Sequence, residues 1–344
     1  MIDCIPESGY FDSPDFLANT MHVFTVIATP IHIFAFYCVL AKTEDQMKSV
    51  KMYLLNLHSS IVLFDYSLNF LSCPFILIPE LAGYPLGIFK YFNAPVEYYV
   101  VEVGIAGACM IISVVSIFEN RFYVICTFSW RDHWTIVRRP WLLLHYIEIF
   151  VFMFSLTLIV PDQKIGLELV FENLPCLPKD IYEAPVFVLA SDYTYQLIAA
   201  VFIISQLCFE IGFFVTYLVW NSYKQLKDMK ISKQTFELQR KFFIALVIQL
   251  VVPSAFFVIP VAYMLASFSL YYYNQAFTNV AFIVVSIHGV SSTLAMIFLH
   301  RPYRRAIFKM IYKRGSYPST VSKIRSTTGI TDDPFFKCSA LRVW

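Results

Sequence analysis

Apolar residues run along this chain in long blocks, without the alternation of period 2 that marks a half-buried strand. Seven blocks reach or approach the length of about 20 residues that a helix needs to cross a bilayer core. They occupy 16–41, 52–79, 97–118, 141–160, 193–223, 242–266 and 278–299. The last two almost merge, because the 58 residues from Phe242 to Leu299 include no Asp, Glu, Lys or Arg. That length suits two crossings at a rise of about 1.5 Å per residue. The polar and aromatic stretch SFSLYYYNQAFT (267–278) supplies the turn, with its tyrosines at the membrane interface. Beyond the seventh block, Tyr303, Ile307, Met310 and Ile311 share one helical face, with Arg305, Lys309 and Lys313 opposite. That spacing predicts a short amphipathic helix lying on a membrane surface.

Basic residues orient the blocks. From the amino to the carboxyl end the loops carry 0, 3, 1, 4, 2, 6, 0 and 10 Lys and Arg, so alternate loops hold 23 against 3. Basic loops stay cytoplasmic. The expected fold is therefore an all-α membrane protein, a seven-transmembrane helix bundle with the N-terminus outside and the C-terminus cytoplasmic. The chain divides into an extracellular N-terminus (1–15), the seven-helix transmembrane domain (16–299), the amphipathic juxtamembrane helix (300–314) and a cytoplasmic tail (315–344).

Composition agrees. The chain is 58% hydrophobic and 15% charged, where soluble domains carry about 25% charge. A net charge of +2 gives no general attraction to nucleic acid. The eight cysteines include no CxxC pair, and no HExxH motif or nucleophile–base set occurs, so neither a metal, a cofactor nor an enzymatic activity is expected. No base precedes Lys42, hence no basic region of a cleavable signal peptide is expected.

Charge inside a span is costly and marks a site. Four carboxylates lie in the interior of the blocks: Asp65, Glu102, Glu148 and Glu210. Asp65 sits near mid-membrane, with Ser113 on the third helix and His288, Ser291 and Ser292 on the seventh as candidate neighbours in a polar network. The plain alternative is a protonated carboxyl that only aids packing. His58, two turns before Asp65 on the same face, should also point inward. Glu119, Asn120 and Arg121 close the third block, and two readings stand. Arg121 is an anchor snorkelling to headgroups, or it pairs with Glu119 or a neighbouring helix and rearranges when a partner docks. Pro253 and Pro260 should kink the sixth helix.

Five stretches, in order and in corresponding places, carry a resemblance. They are SPDFL (13–17), TPIHIFAFYCVLAKTEDQMKSVKMYLLNLHS (29–59), AGYPLG (82–87), SIFENR (116–121) and HRPYRRAIF (300–308). Together they resemble the nematode serpentine chemoreceptors, a group of G-protein-coupled receptors, most closely class H. The resemblance implies a multi-pass receptor in the plasma membrane of sensory neurons. Such a receptor binds an external small molecule and activates a heterotrimeric G protein, with the lipid bilayer as its other partner. It makes Arg121 the counterpart of the arginine that ends the third helix of rhodopsin-like receptors, although Asn120 separates it from Glu119 and Phe122 follows it. It makes Asp65 the counterpart of a second-helix aspartate that holds a sodium ion or water network.

A ligand site is expected in the outer halves of the helices, with Tyr98, Tyr195, Gln196, Tyr263 and Asn279 lining it and Glu102 available to a cationic ligand. The alternative for the tyrosines is an interfacial belt. The resemblance also implies a disulfide to the second outer loop, where Cys176 is the loop partner, Cys4 the first choice to bridge it and Cys73 the second. The basic segment 224–241 is then the docking face for the G protein. The rival function is an ion- or proton-coupled transporter using the four carboxylates, against which stands the lack of an internal repeat.

Overall fold

The computed structural model describes residues 9–43, 47–92 and 95–313. In chain order its helices are α1 (Pro14–Ala41), α2 (Lys48–Tyr66), α3 (Val96–Ile125), α4 (Arg131–Leu158), α5 (Gln163–Asn173), α6 (Lys179–Glu183), α7 (Thr194–Lys227), α8 (Lys233–Leu270), α9 (Gln275–Leu299) and α10 (Arg301–Lys313). Seven of them form a bundle in which α3 packs against α2, α4 and α7, and α9 against α1, α2 and α8. Among the described residues, six helices are long and apolar enough to cross a membrane. The seventh, α2, is diluted by Lys51, Asn56, His58 and Asp65.

Helix ends follow local chemistry. Ser13 caps α1 by accepting from the Phe16 N–H at 3.1 Å, with Pro14 in the first turn and Asp15 beside it, so SPDFL is an N-cap sequence. Ser232 and Asn274 cap α8 and α9 in the same way. Asp192 accepts from both the N–H and the hydroxyl of Thr194 at the start of α7, which holds its carboxyl below the usual carboxylate range.

The structure moves several expected boundaries. The second block does not run to 79: α2 widens into a π-helical stretch, Ser67–Ser72, which stops at Cys73 in a left-handed conformation. The chain then enters β1 (Pro74–Ile76), followed by β2 (Leu81–Pro85), while β3 (Phe187–Ala190) joins from the loop before α7. The three strands pair antiparallel in the order β1-β2-β3, with Phe75 opposite Tyr84 and Ala82 opposite Val188. A side chain at Gly83 would run into the Phe75 carbonyl across the ladder, which accounts for one glycine of AGYPLG. Gln163 of α5 docks on β3 through both amide atoms, donating to the Val188 carbonyl at 3.0 Å and accepting its N–H at 2.9 Å. The third block overshoots 118 by two turns, to Ile125. The basic segment 224–241 is mostly helix, since only 228–232 separate α7 from α8.

The sheet caps one end of the bundle. Phe75 and Leu77 are fully buried there, and Glu80 accepts from Asn173 at the end of α5 and from Tyr271 after α8. Asn279 of α9 donates to the Phe11 and Ser13 carbonyls, strapping the segment before α1 to the same end. At the opposite end α10 is fixed by fully buried Tyr303, whose hydroxyl lies 2.9 Å from that of Thr43 after α1. Ile307 packs partly buried on the core, whereas the Met310 and Ile311 side chains lie outside the described ones.

Candidate functional site

A cavity of about 790 Å³ opens between α2, α3, α4, α7, α8 and α9, within the size range of small-molecule sites, about 300–1,000 Å³. Its walls are almost wholly apolar. The polar side chains lining it are Gln249 and Ser254 of α8 and His288 and Ser292 of α9. Ser254 is engaged, donating to the Leu250 carbonyl at 2.7 Å. Gln249 is only 5% exposed, yet neither its Nε2 nor its Oε1 has a hydrogen-bond partner. His288, 7% exposed and edge-on to Phe257, leaves Nδ1 unpartnered as well. A buried amide with both ends unmet costs about 1–3 kcal/mol per group, so these groups call for a functional explanation.

None of the residues expected to line a ligand site lines this cavity. Tyr98 is 54% exposed on α3. Tyr195 is exposed with its hydroxyl 2.7 Å from that of Ser155, and Gln196 beside it is half-buried at the start of α7. Tyr263 donates to the Asn274 carbonyl at 3.1 Å and Asn279 holds the strap. Glu102 accepts a hydrogen bond from Ser67 of the π-helical stretch and does not reach the cavity. Gln249 was missed, although it is the only amide between 242 and 266. The cost argument applied to the carboxylates applies to it equally.

Asp65 has a different partner from those expected. Its Oδ2 shares a 3.0 Å hydrogen bond with Nε2 of His32 on α1, and His32 Nδ1 lies 3.1 Å from the Thr293 hydroxyl on α9. The buried His58 ring faces inward and reaches the His32 carbonyl at 3.1 Å. Ser113 instead joins Asn56 and Ser60 of α2 at 2.8 and 3.0 Å. Ser291 donates to the His288 carbonyl, and Ser292 lines the cavity.

The remaining carboxylates also have their own partners. His145 of α4 meets Glu210 of α7 at 2.8 Å, and Gln206 of α7 donates to Glu148 of α4 at 3.3 Å. With Asp65 held by α1 and Glu102 by the π-helical stretch, the four fall on three helix pairs, Glu148 and Glu210 sharing α4–α7.

Glu119, Asn120 and Arg121 lie inside the last turns of α3 and are all buried, Arg121 being 2% exposed. An anchor reaching headgroups would be exposed, so that reading is corrected. Glu119 does not pair with Arg121: its two oxygens accept from Arg138 at 2.7 Å and from Trp134 at 2.8 Å, both on α4. Burial, with the Arg121 guanidinium adding to it, pushes His300 at the α9–α10 junction down to about 4. Phe122 stacks on Phe128 and contacts Trp130, Phe214 and Tyr217. Asn221 clamps both the N–H and the carbonyl of Thr127, and Gln225 holds the Ile125 carbonyl. The α3–α4 turn is thus fastened to α7.

Cys73 is a free, buried thiol that faces Met21 sulfur at 3.4 Å, which removes it as the second choice to bridge Cys176. Cys176 is disulfide-bonded. Cys4 lies outside the described residues.

Comparison with known proteins adds three findings. The profile of a family described as serpentine type 7TM GPCR chemoreceptor Srh matches residues 12–313, which include every helix of the fold. A Caenorhabditis elegans protein named serpentine receptor class H-72 is 26% identical over 332 residues, covering 94% of this chain and 93% of the relative. Squid rhodopsin superposes with a TM-score of 0.51 at 11% identity, over 92% of this chain and 94% of that one. The last likeness speaks for the seven-helix fold alone.

Proposed function

This chain belongs to the serpentine class H family of seven-transmembrane chemoreceptors, and on that premise we propose that it binds an external small molecule in the central cavity and activates a heterotrimeric G protein. The single observation that carries the reading is the cavity with Gln249 and His288 unmet inside it. A transmembrane receptor needs a ligand that binds one bundle arrangement better than another, and these two groups sit on α8 and α9, whose relative position such a ligand would bias. The basic loops support an N-terminus outside and a C-terminus in the cytoplasm, which puts the sheet-capped end outward. The end carrying Arg121, Arg138 and α10 faces in, at the plasma membrane of a sensory cell.

On this reading Arg121 is the element that the G protein engages when the Glu119–Arg138 lock between α3 and α4 rearranges. The test is a signalling screen in cells with a promiscuous G protein, using wild type and Arg121→Gln against small volatile and water-soluble chemicals. The expected result is a wild-type response that disappears in the variant at equal surface expression. A response of unchanged size in the variant would remove Arg121 from the mechanism. Silence of wild type across a broad panel, with pH- or sodium-coupled uptake into vesicles, would replace the receptor by a transporter.

A further inference from the structure

The cavity wall records what kind of molecule it accepts and from which side. No Asp, Glu, Lys or Arg lines it. An ion entering it would lose hydration without gaining a counter-charge, a cost of several kcal/mol per charge. The unmet Gln249 amide and His288 ring together offer hydrogen-bond donors and acceptors to a neutral polar group.

The route follows from how the helices close around that wall. The outward end is shut by fully buried Phe75 and Leu77 of the sheet, by Glu80 bonded to Asn173 and Tyr271, and by Asn279 holding the strap. Around the ring, α3 packs on α7 and α8 packs closely on α9, but α7 and α8 scarcely touch along their lengths. The residues facing each other across that gap line the cavity from both sides. Ile204 of α7 and Val258, Val261, Ala262 and Leu265 of α8 are cavity residues and are also exposed, Ile204 by 56% and Val258 by 64%. An apolar slot at this depth faces lipid chains, not water.

The geometry points to a neutral lipophile with one hydrogen-bonding head group, such as a ketone, alcohol or amide, that enters from the bilayer between α7 and α8 and docks its head on Gln249 and His288. The inference rests on the reading of the cavity as the ligand site. It adds the ligand class and the path.

The full chain in lipid nanodiscs, with an environment-sensitive acyl-naphthalene ketone as probe, tests it. Medium-chain ketones and alcohols should compete, whereas the fatty acid and the alkylammonium of equal length should not. Gln249→Leu should weaken probe binding about tenfold, the effect of one hydrogen bond. At equal free aqueous concentration, association should speed up in bilayers that dissolve more probe. Ala262→Trp, which fills the slot, should slow association about tenfold, with bound affinity falling far less. Because a tryptophan there can disturb folding, the bilayer comparison on wild type stands as the independent measurement.

A rate set by the aqueous concentration alone, or one accelerated by Glu80→Gln at the cap, would overturn the route while leaving the cavity as ligand site. Competition by the charged analogues and not by the neutral ones would overturn the class. Binding of none of the probes to the wild-type chain would remove the ligand-site reading itself, and the inference with it.

Discussion

His32 of α1 and Asp65 of α2 share a hydrogen bond of 3.0 Å in the middle of the bundle, and the Thr293 hydroxyl behind the imidazole extends the link to α9. The consecutive helices α1 and α2 are thus tied to the distant α9 by one buried chain of three side chains. Asp65 is also pressed against Gly289, where any side chain would collide with the carboxylate. Removing one member leaves the other buried and unmet, a loss of about 1–3 kcal/mol. His32→Leu should therefore lower the unfolding midpoint in detergent far more than Asp65→Asn, which keeps a hydrogen bond to His32. Equal midpoints for the two variants would show that the pair does not hold the helices. Since His32 occupies Asp65, adding sodium should leave the wild-type midpoint unchanged, and a marked rise with sodium would put an ion beside the carboxylate instead.

Glu119 ties α3 to α4 through Arg138 and Trp134, and the α3–α4 turn is clamped to α7 by Asn221 and Gln225. Such a lock favours one bundle arrangement, and releasing it should shift the balance toward the other. Glu119→Gln should raise ligand-independent signalling on the order of fivefold, the low end of ordinary allosteric coupling. Arg121→Gln should reduce signalling to background in either setting. The check is G-protein activation at matched surface expression. A silent Glu119→Gln with a normal ligand response would mean that the ion pair only supports packing.

Much of the fold was legible because membrane spans announce themselves by composition. The seven blocks and the short helix after the seventh span correspond to observed helices. What was hidden depends on partners distant in sequence. The stretch 73–79 is apolar enough to pass as helix, yet it leaves α2 at Cys73 because β2 is there to pair with it. Glu119 and Arg121, two residues apart on a helix, point to different neighbours, and spacing alone shows no trace of Arg138. The cavity is walled mid-helix by apolar residues, where a single glutamine in an apolar run draws no attention, whereas aromatic and polar residues near helix ends stand out in the sequence.

The cap makes a prediction of its own. Asn279 donates to the Phe11 and Ser13 carbonyls and accepts from Gln275, which also reaches the Ile76 carbonyl in β1. The amide therefore couples the strap to the sheet. Asn279→Ala should leave the bundle folded but loosen this end. Amide exchange at residues 10–17 should quicken about tenfold, the effect of losing one net hydrogen bond of roughly 1–1.5 kcal/mol. Unchanged exchange there, with the global midpoint lowered, would make Asn279 a general packing residue.

Gln249 sets stability against function. Its amide is buried with both ends unmet, so replacing it by leucine, similar in volume, removes a standing desolvation cost. Gln249→Leu should thus unfold later than wild type, by the equivalent of about 1–3 kcal/mol, while its response to an agonist shifts to higher concentration. A structural glutamine would behave in the opposite way, losing stability on substitution. Measuring the unfolding midpoint and the dose–response curve on the same preparation separates the two. A rise in one with a loss in the other is the signature of a residue kept for its ligand, and a fall in both would assign Gln249 to the packing of α8.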